Sequence, residues 1–289
     1  MKFALTLLHH ESIVTVMLHS CYKYVSLSAL AFAALATPAL ASTSGCDLSD
    51  GLSLEPLAYA QEADACFEGL NGVDYDTRLE RQIQDATNAT RAAAGESHLE
   101  YQVSLVQAAR IHAMDMAVRH YAAHEDLEGR DHLDRVRTFD RAILIGASGA
   151  NIVVVDSAMD ADAIMAALRK DPANAANMTR EAFTDSAVGI ARANGKTYVV
   201  QLFARVDGRL ETPLPLVISG TENIRATFAD NRLQPVGWRL TTASGDTVAR
   251  GLGTRMTDPL KSGEQAYLTL DVAYRASEYA LRGPLVIGR

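Results

Sequence analysis

Two apolar runs, 186–193 and 196–206, are separated by the dipeptide Asn194-Gly195. Asparagine and glycine tolerate positive φ at both central positions of a two-residue turn, so this stretch predicts an antiparallel hairpin. Upstream, the dominant period is helical. Leu79, Ile83, Ala86 and Thr90 recur every three to four residues, with Glu80, Arg81, Gln84 and Asp85 on the other side. Asp76 and Thr77 offer N-caps for this helix, and Gly95 a C-cap after about residue 94. A second helix is predicted over 102–120, with Val103, Val106, Ala109, Ala113, Met116 and Ala117 as its buried stripe. Shorter helices are expected at 133–139, 161–168 and 175–183, and short strands at 143–145 and 152–155. The order helix, helix, strand, helix, hairpin suggests helices packed on a small sheet, an α+β class.

After Arg209 the texture changes. Pro213 and Pro215 mark a linker at 210–215, and no helical period follows. Ile224, Ala226 and Phe228 alternate with polar neighbours, as do Val236, Trp238 and Leu240, and again Leu268, Leu270, Val272 and Tyr274. Ser244-Gly245-Asp246 and Ser262-Gly263-Glu264 are turn signals between such runs. The reading is a sandwich-like antiparallel β-module over 216–289. Trp238, Tyr267 and Tyr274 are its candidate aromatic contacts, though their alternation with polar residues points to core packing.

The 25–41 stretch is uncharged and rich in Ala, Leu and Val. It has Lys23 as a positive flank and closes on Pro38-Ala39-Leu40-Ala41. That pattern predicts a signal peptide over 1–41, with Met17 as an alternative start, and a secreted or periplasmic protein. The apolar core is short of the ~20 residues of a membrane span, so none is expected in the mature chain. A lead-in segment, 42–76, follows, with a helical patch near 57–67. Cys21 lies in the leader, which leaves Cys46 and Cys66 to form one disulfide in an oxidising compartment. A lipidated Cys46 is the rival reading, but Thr43-Ser44-Gly45 lacks the usual upstream leucine. A net charge of −8 argues against nucleic acid as a partner.

Residues 79–206 resemble a bacterial CAP (SCP-like) domain, piece by piece and in order. The pieces are Asn88-x-x-Arg91 with Gly95 and Leu99, then Leu105-x-x-Ala108-Ala109-x-x-His112-Ala113-x-Asp115-Met116-Ala117, then Tyr121-x-x-His124-x-Asp126-x-x-Gly129 with Arg135. Gly149-Ala150-Asn151-Ile152, the run from Asp171 to Met178, and Val188-Gly189-Ile190-Ala191 complete the set. The resemblance implies a shallow cavity in which histidines and glutamates of many relatives gather around a divalent metal. Here Ala150 stands where the family usually shows glutamate and Asn174 where it shows the second histidine; Leu168 replaces a tryptophan. His124 is what remains of that ligand set, and a lone imidazole cannot hold zinc against water, so no metal or other cofactor is expected.

The candidate cavity residues are therefore His124, Glu125, Asp126, Asn151 and Asn174, with no catalytic residue assigned. His124 has a competing structural role, fixing its loop to the sheet. His112 and Asp115 read as core helix residues, Arg91 as a clamp between elements and Asn151 as a loop tie. The acidic and imidazole groups from His120 to Asp134 read as a solvated loop and helix face. Gly146-Ala147-Ser148-Gly149 lacks the spacing of a nucleophile elbow, and neither a phosphate loop nor an HExxH motif is present. CAP domains are commonly linked with lipid or small apolar ligands and with cell-envelope partners. The leading expectation is thus an exported, non-enzymatic binding protein with a degenerate metal cavity. The alternative is a peptidase-like hydrolase using His124 and a nearby carboxylate.

Overall fold

A computed structural model describes residue 46 and residues 48–69, 76–257 and 260–289, all within the compact unit Thr43–Arg289. The leader expectation falls outside these residues. The fold is α+β.

Helix α1, Pro56–Gly69, covers the 57–67 patch and extends it. Helix α2, Thr77–Ala93, begins where expected, with the Asp76 carboxylate accepting from the Leu79 amide. The chain leaves it through Gly95 at φ 81°. The short strand β1, Glu100–Tyr101, precedes α3, Val103–Arg119, which closes on His120 in the left-handed region. Helix α4, His132–Phe139, opens with a reciprocal capping box between Asp131 and Asp134.

Where two short strands were expected, one strand, β2, runs unbroken over Ile143–Asp156. The small residues 146–149 interrupt the apolar pattern because the space beside them is taken. A Cβ on Gly149 would lie 2.9 Å from Phe183 Cζ, and one on Gly146 would overlap the Asp207 carboxylate. Helix α5, Ala161–Arg169, is followed by α6, Pro172–Met178. The latter starts and ends earlier than the predicted 175–183, because Pro172 occupies its first turn and Asp171 caps the amides of Ala173 and Asn174. The hairpin is as predicted. Strands β3, Asp185–Ala193, and β4, Lys196–Leu210, turn through Asn194 and Gly195 at φ 49° and 72°.

Strand β4 is apolar almost without interruption because both its faces are buried. Tyr198, Val200, Leu202 and Ala204 point to a core made with α3 and α4. Val199 and Phe203 point to a second core made with α2 and α5. The result is a helix-sheet-helix sandwich. Gly189 of β3 lies against the backbone of Ala109 and Arg110, so α3 packs closer than any side chain at 189 would permit.

The remaining strands are β5 (Val217–Ile218), β6 (Thr221–Asn223), β7 (Ala226–Phe228), β8 (Gln234–Thr241), β9 (Thr247–Gly251), β10 (Arg255–Thr257), β11 (Gln265–Tyr274) and β12 (Ser277–Gly288). The sheet runs β1-β3-β4-β2-β12-β11-β8-β9, with β5 on β12 and β7 on β4, while β6 and β10 form a small second sheet. Arg282 of β12 pairs with Ile145 of β2, so the C-terminal strands extend the sheet of the helical part. Their core takes in Ala142, Leu144, Leu210 and Leu214, together with Trp238, Leu240, Leu268 and Val272. Trp238 is thus a core residue. At the other end Cys46 and Cys66 form the expected disulfide. It secures α1 over Ile111 and Met114, with Leu48, Leu52, Tyr59 and Ala63 filling the contact.

Candidate functional site

The loop 120–131 joins α3 to α4 and carries His124, Glu125 and Asp126. Two arginine systems fix it. Arg119 spans from Asp115 at 2.5 Å to Glu128 at 2.6 Å, and Tyr121 donates to the same Asp115. Buried Arg135 donates to the carbonyls of Arg130, 2.6 Å, and His124, 3.0 Å. His124 therefore contributes its backbone to the loop's attachment, and its side chain and that of Glu125 are exposed.

Asp126 is buried. Its carboxylate accepts from the Glu128 and Arg130 amides and from Arg130 Nε at 2.9 Å, with Arg135 Nη1 3.6 Å away. Those contacts use its oxygens, so it is an internal staple of the loop. The other imidazoles lie nearby. His112 bonds the Ala123 carbonyl at 2.8 Å, and His132 Nε2 lies 3.2 Å from Ser148 Oγ. Burial, reinforced by the Arg135 charge, takes the His112 pKa down to about 3. Burial takes His132 down to about 4, against the attraction of Asp131. Both rings are neutral at pH 7. Among the described residues no group of three His, Cys, Asp or Glu is placed to hold a metal ion.

Asn151 and Asn174 belong to a different place. By strand alternation Asn151 points away from Ser148 and Ala150. It donates to the Asn174 carbonyl and to Gln201, and accepts from Asn177 at 3.0 Å. Asn177 reaches the Ala150 carbonyl and Asn174 the Ile152 carbonyl. The asparagines of α6 thereby cover backbone acceptors of β2 that β4 leaves free. The five candidate residues do not converge on one point: three are on the loop, and two belong to this edge.

Two hollows were not legible in the sequence. The first, about 520 Å³, lies between α1, the end of α4 and residues 213–216. Leu57, Ala60, Phe139, Leu214 and Leu216 give it apolar walls; Gln61, Asp64, Gln107 and Arg141 add polar groups. Arg141 is itself occupied by the carbonyls of Leu214, Pro215 and Leu285. A helical patch in a lead-in and two linker prolines gave no sign that they would face one another. The second hollow, about 530 Å³ around Gly237, is lined by Arg239, Arg250, Asp271 and Glu278 and is far more charged.

The layered sandwich and the arginine-fixed loop after α3 make the helical part an α-β-α domain. The model of the cysteine-rich secretory protein (CAP) family matches residues 84–203, and this chain carries a CAP domain. Among solved structures, an extracellular SCP-domain protein from Bacillus anthracis str. Ames is similar at 23% identity and a TM-score of 0.39. That match covers 48% of this chain and 43% of the other. An outer surface protein from Borrelia burgdorferi is similar at 13% identity and a TM-score of 0.38, over 44% of this chain and 91% of its own. No curated protein matches the chain.

Proposed function

We propose that this is an exported, non-enzymatic binding protein that takes a small apolar ligand in a cleft at the margin of its CAP domain, with the family's metal cavity degenerate. The observation that carries the reading is the cleft between α1 and residues 213–216. Concave, mainly apolar hollows of ~300–1,000 Å³ with a few polar groups are the usual form of small-ligand sites. The cleft's 520 Å³ and its leucine, alanine and phenylalanine walls fit that form. Two further points support it. The Cys46–Cys66 disulfide suits an oxidising compartment. The buried carboxylates at the histidine loop, Asp115 and Asp126, are committed to arginine. Among the described residues no helix is long and apolar enough to cross a membrane.

The test is titration of residues 42–289 with a fluorescent fatty acid, alongside Ala60→Trp, which fills the cleft. Saturable binding that weakens at least tenfold in the variant, at unchanged Tm, is expected. Absence of saturable binding to this probe and to sterol-containing vesicles would sink the apolar-ligand reading and leave a cell-envelope protein as the partner to seek.

One observation favours a second reading, a hydrolase. Ser148 Oγ and neutral His132 are within nucleophile–base reach at 3.2 Å. The hydrolase reading expected from sequence used His124, but Asp126 is bound elsewhere. A fluorophosphonate that labels the wild type and not Ser148→Ala would favour this second reading over the first.

A further inference from the structure

The charged hollow of about 530 Å³ lies on β8, β9, β11 and β12, away from the apolar cleft beside α1. Strand register explains why it forms. Gly237 is paired with Asp271, and its neighbour Trp238 with Gly251. A Cβ on Gly237 would press on the Gly251 carbonyl at 3.1 Å. The floor is therefore bare backbone, with Val236 and the exposed Leu252 as apolar margins.

Four charged side chains line this one hollow, and they are not equivalent. Arg239 closes on Asp271 through two contacts, at 2.6 and 2.9 Å. Arg250 stands directly opposite Arg239 in the β8–β9 register, so two guanidiniums face a single carboxylate. Like charges opposed across a strand pair repel, and one positive charge is left over at that point. Glu278 borders the hollow from the other side. Arg250 and Glu278 are both exposed, and neither is in an ion pair among the described residues. They belong to β9 and β12, with β8 and β11 between them. Three interstrand steps make about 14 Å between the two strand axes.

We propose that this face binds a short peptide with free termini, its carboxylate at Arg250 and its ammonium at Glu278. A guanidinium holds a carboxylate through two parallel N–H···O bonds, and a glutamate accepts from an ammonium. The Arg239–Asp271 pair is already neutral and flanks the peptide's middle. An extended tripeptide is about 10 Å long. With a hydrogen bond of about 3 Å at each end it covers the distance between β9 and β12. Lying across the strands over Gly237, it meets Leu252 and Val236 with its side chains. Charge selects this class of ligand. A simple anion is repelled by Glu278 and a simple cation by Arg250, whereas a ligand bearing both charges satisfies each.

Trp238, the only tryptophan of the chain, lines the hollow and reports its occupancy. Residues 42–289 are titrated with trialanine and followed by tryptophan fluorescence. Saturation with a Kd of about 1 mM or below is expected. Acetylating the peptide's amino terminus should weaken binding about fivefold, the upper range for one exposed ion pair, and amidating its carboxylate should do the same. In Glu278→Gln the acetylated and free peptides should bind alike, and in Arg250→Gln the amide and the acid should. Both side chains are exposed, so Tm should be unchanged in either variant. A signal that does not saturate, or equal affinity for free and doubly blocked trialanine, would overturn the proposal. The fatty-acid titration reads the other hollow, so either result can fail alone.

Discussion

Arg91 is, with Arg135, the largest fully buried side chain among the described residues, and its guanidinium ends on backbone carbonyls. It donates to Ser97 at 2.6 Å, Met178 at 3.1 Å and Arg180 at 2.9 Å, tying the exit of α2 to the segment before β3. Replacing it by alanine strands these acceptors, with the Phe183 carbonyl as a fourth, and leaves a cavity. A loss of about 3–5 kcal/mol is expected in urea unfolding. Arg91→Lys should recover little of it, because an ammonium cannot span three carbonyls as a planar fork does. A clamp at Arg91 was legible from Asn88-x-x-Arg91, but the pattern did not distinguish backbone carbonyls from carboxylates as its acceptors. The neutral state of His112 and His132 was not legible, because it depends on burial by distant segments. Unfolded, both rings charge near pH 6.5; folded, they do so only near 3 and 4. The unfolded chain therefore binds more protons in that window, and each histidine removes about 1.4 kcal/mol of stability per pH unit as pH falls through it. Glu128, held low by Arg119, adds to the loss at lower pH. Asp134, Asp185 and Asp207, raised by burial, oppose it. Tm should fall between pH 7 and pH 5, and His132→Asn should flatten that slope. An identical slope in the variant would remove His132 from this account.

At the scale of elements, helix period and turn chemistry were readable wherever they were local. The Asn194-Gly195 hairpin and the Asp76 cap stand as read. Strand β2 was misread as two pieces because residues 146–149 are small for reasons located on other elements, Phe183 and Asp207 among them. Helix α1 was read as a mere patch because its purpose is tertiary. It covers Ile111 and Met114 of α3 and is held there by the disulfide. Paired Cys46→Ser and Cys66→Ser changes should cost roughly 3 kcal/mol through loop entropy. They should also raise hydrogen exchange in α1 more than in β4. Uniform protection across both would argue that the disulfide secures nothing locally.

For the whole molecule, the arginines of one short region bind the helical part to the C-terminal strands. Arg137 donates to the carbonyls of Gly283 and Leu268, with its guanidinium 4.1 Å from the centre of the Tyr267 ring. Ala142 and Leu144 share a core with Leu268 and Leu281. One cooperative calorimetric transition is expected for residues 42–289, and a chain ending at 215 should fail to fold. Two resolved transitions would mean that the parts melt independently. The sequence showed the change of texture at 210 but not the continuity, since strand pairing between remote segments leaves no local trace. Nothing in residues 277–288 names β2 as their neighbour.

The pairing of Arg282 with Ile145 places the last strand in the interior of the sheet. The β11-β8-β9 ladder therefore has no link to β2 until residues 277–288 are in place. Closing that gap brings together segments far apart along the chain, a slow step in which unprotected strand edges are open to mispairing.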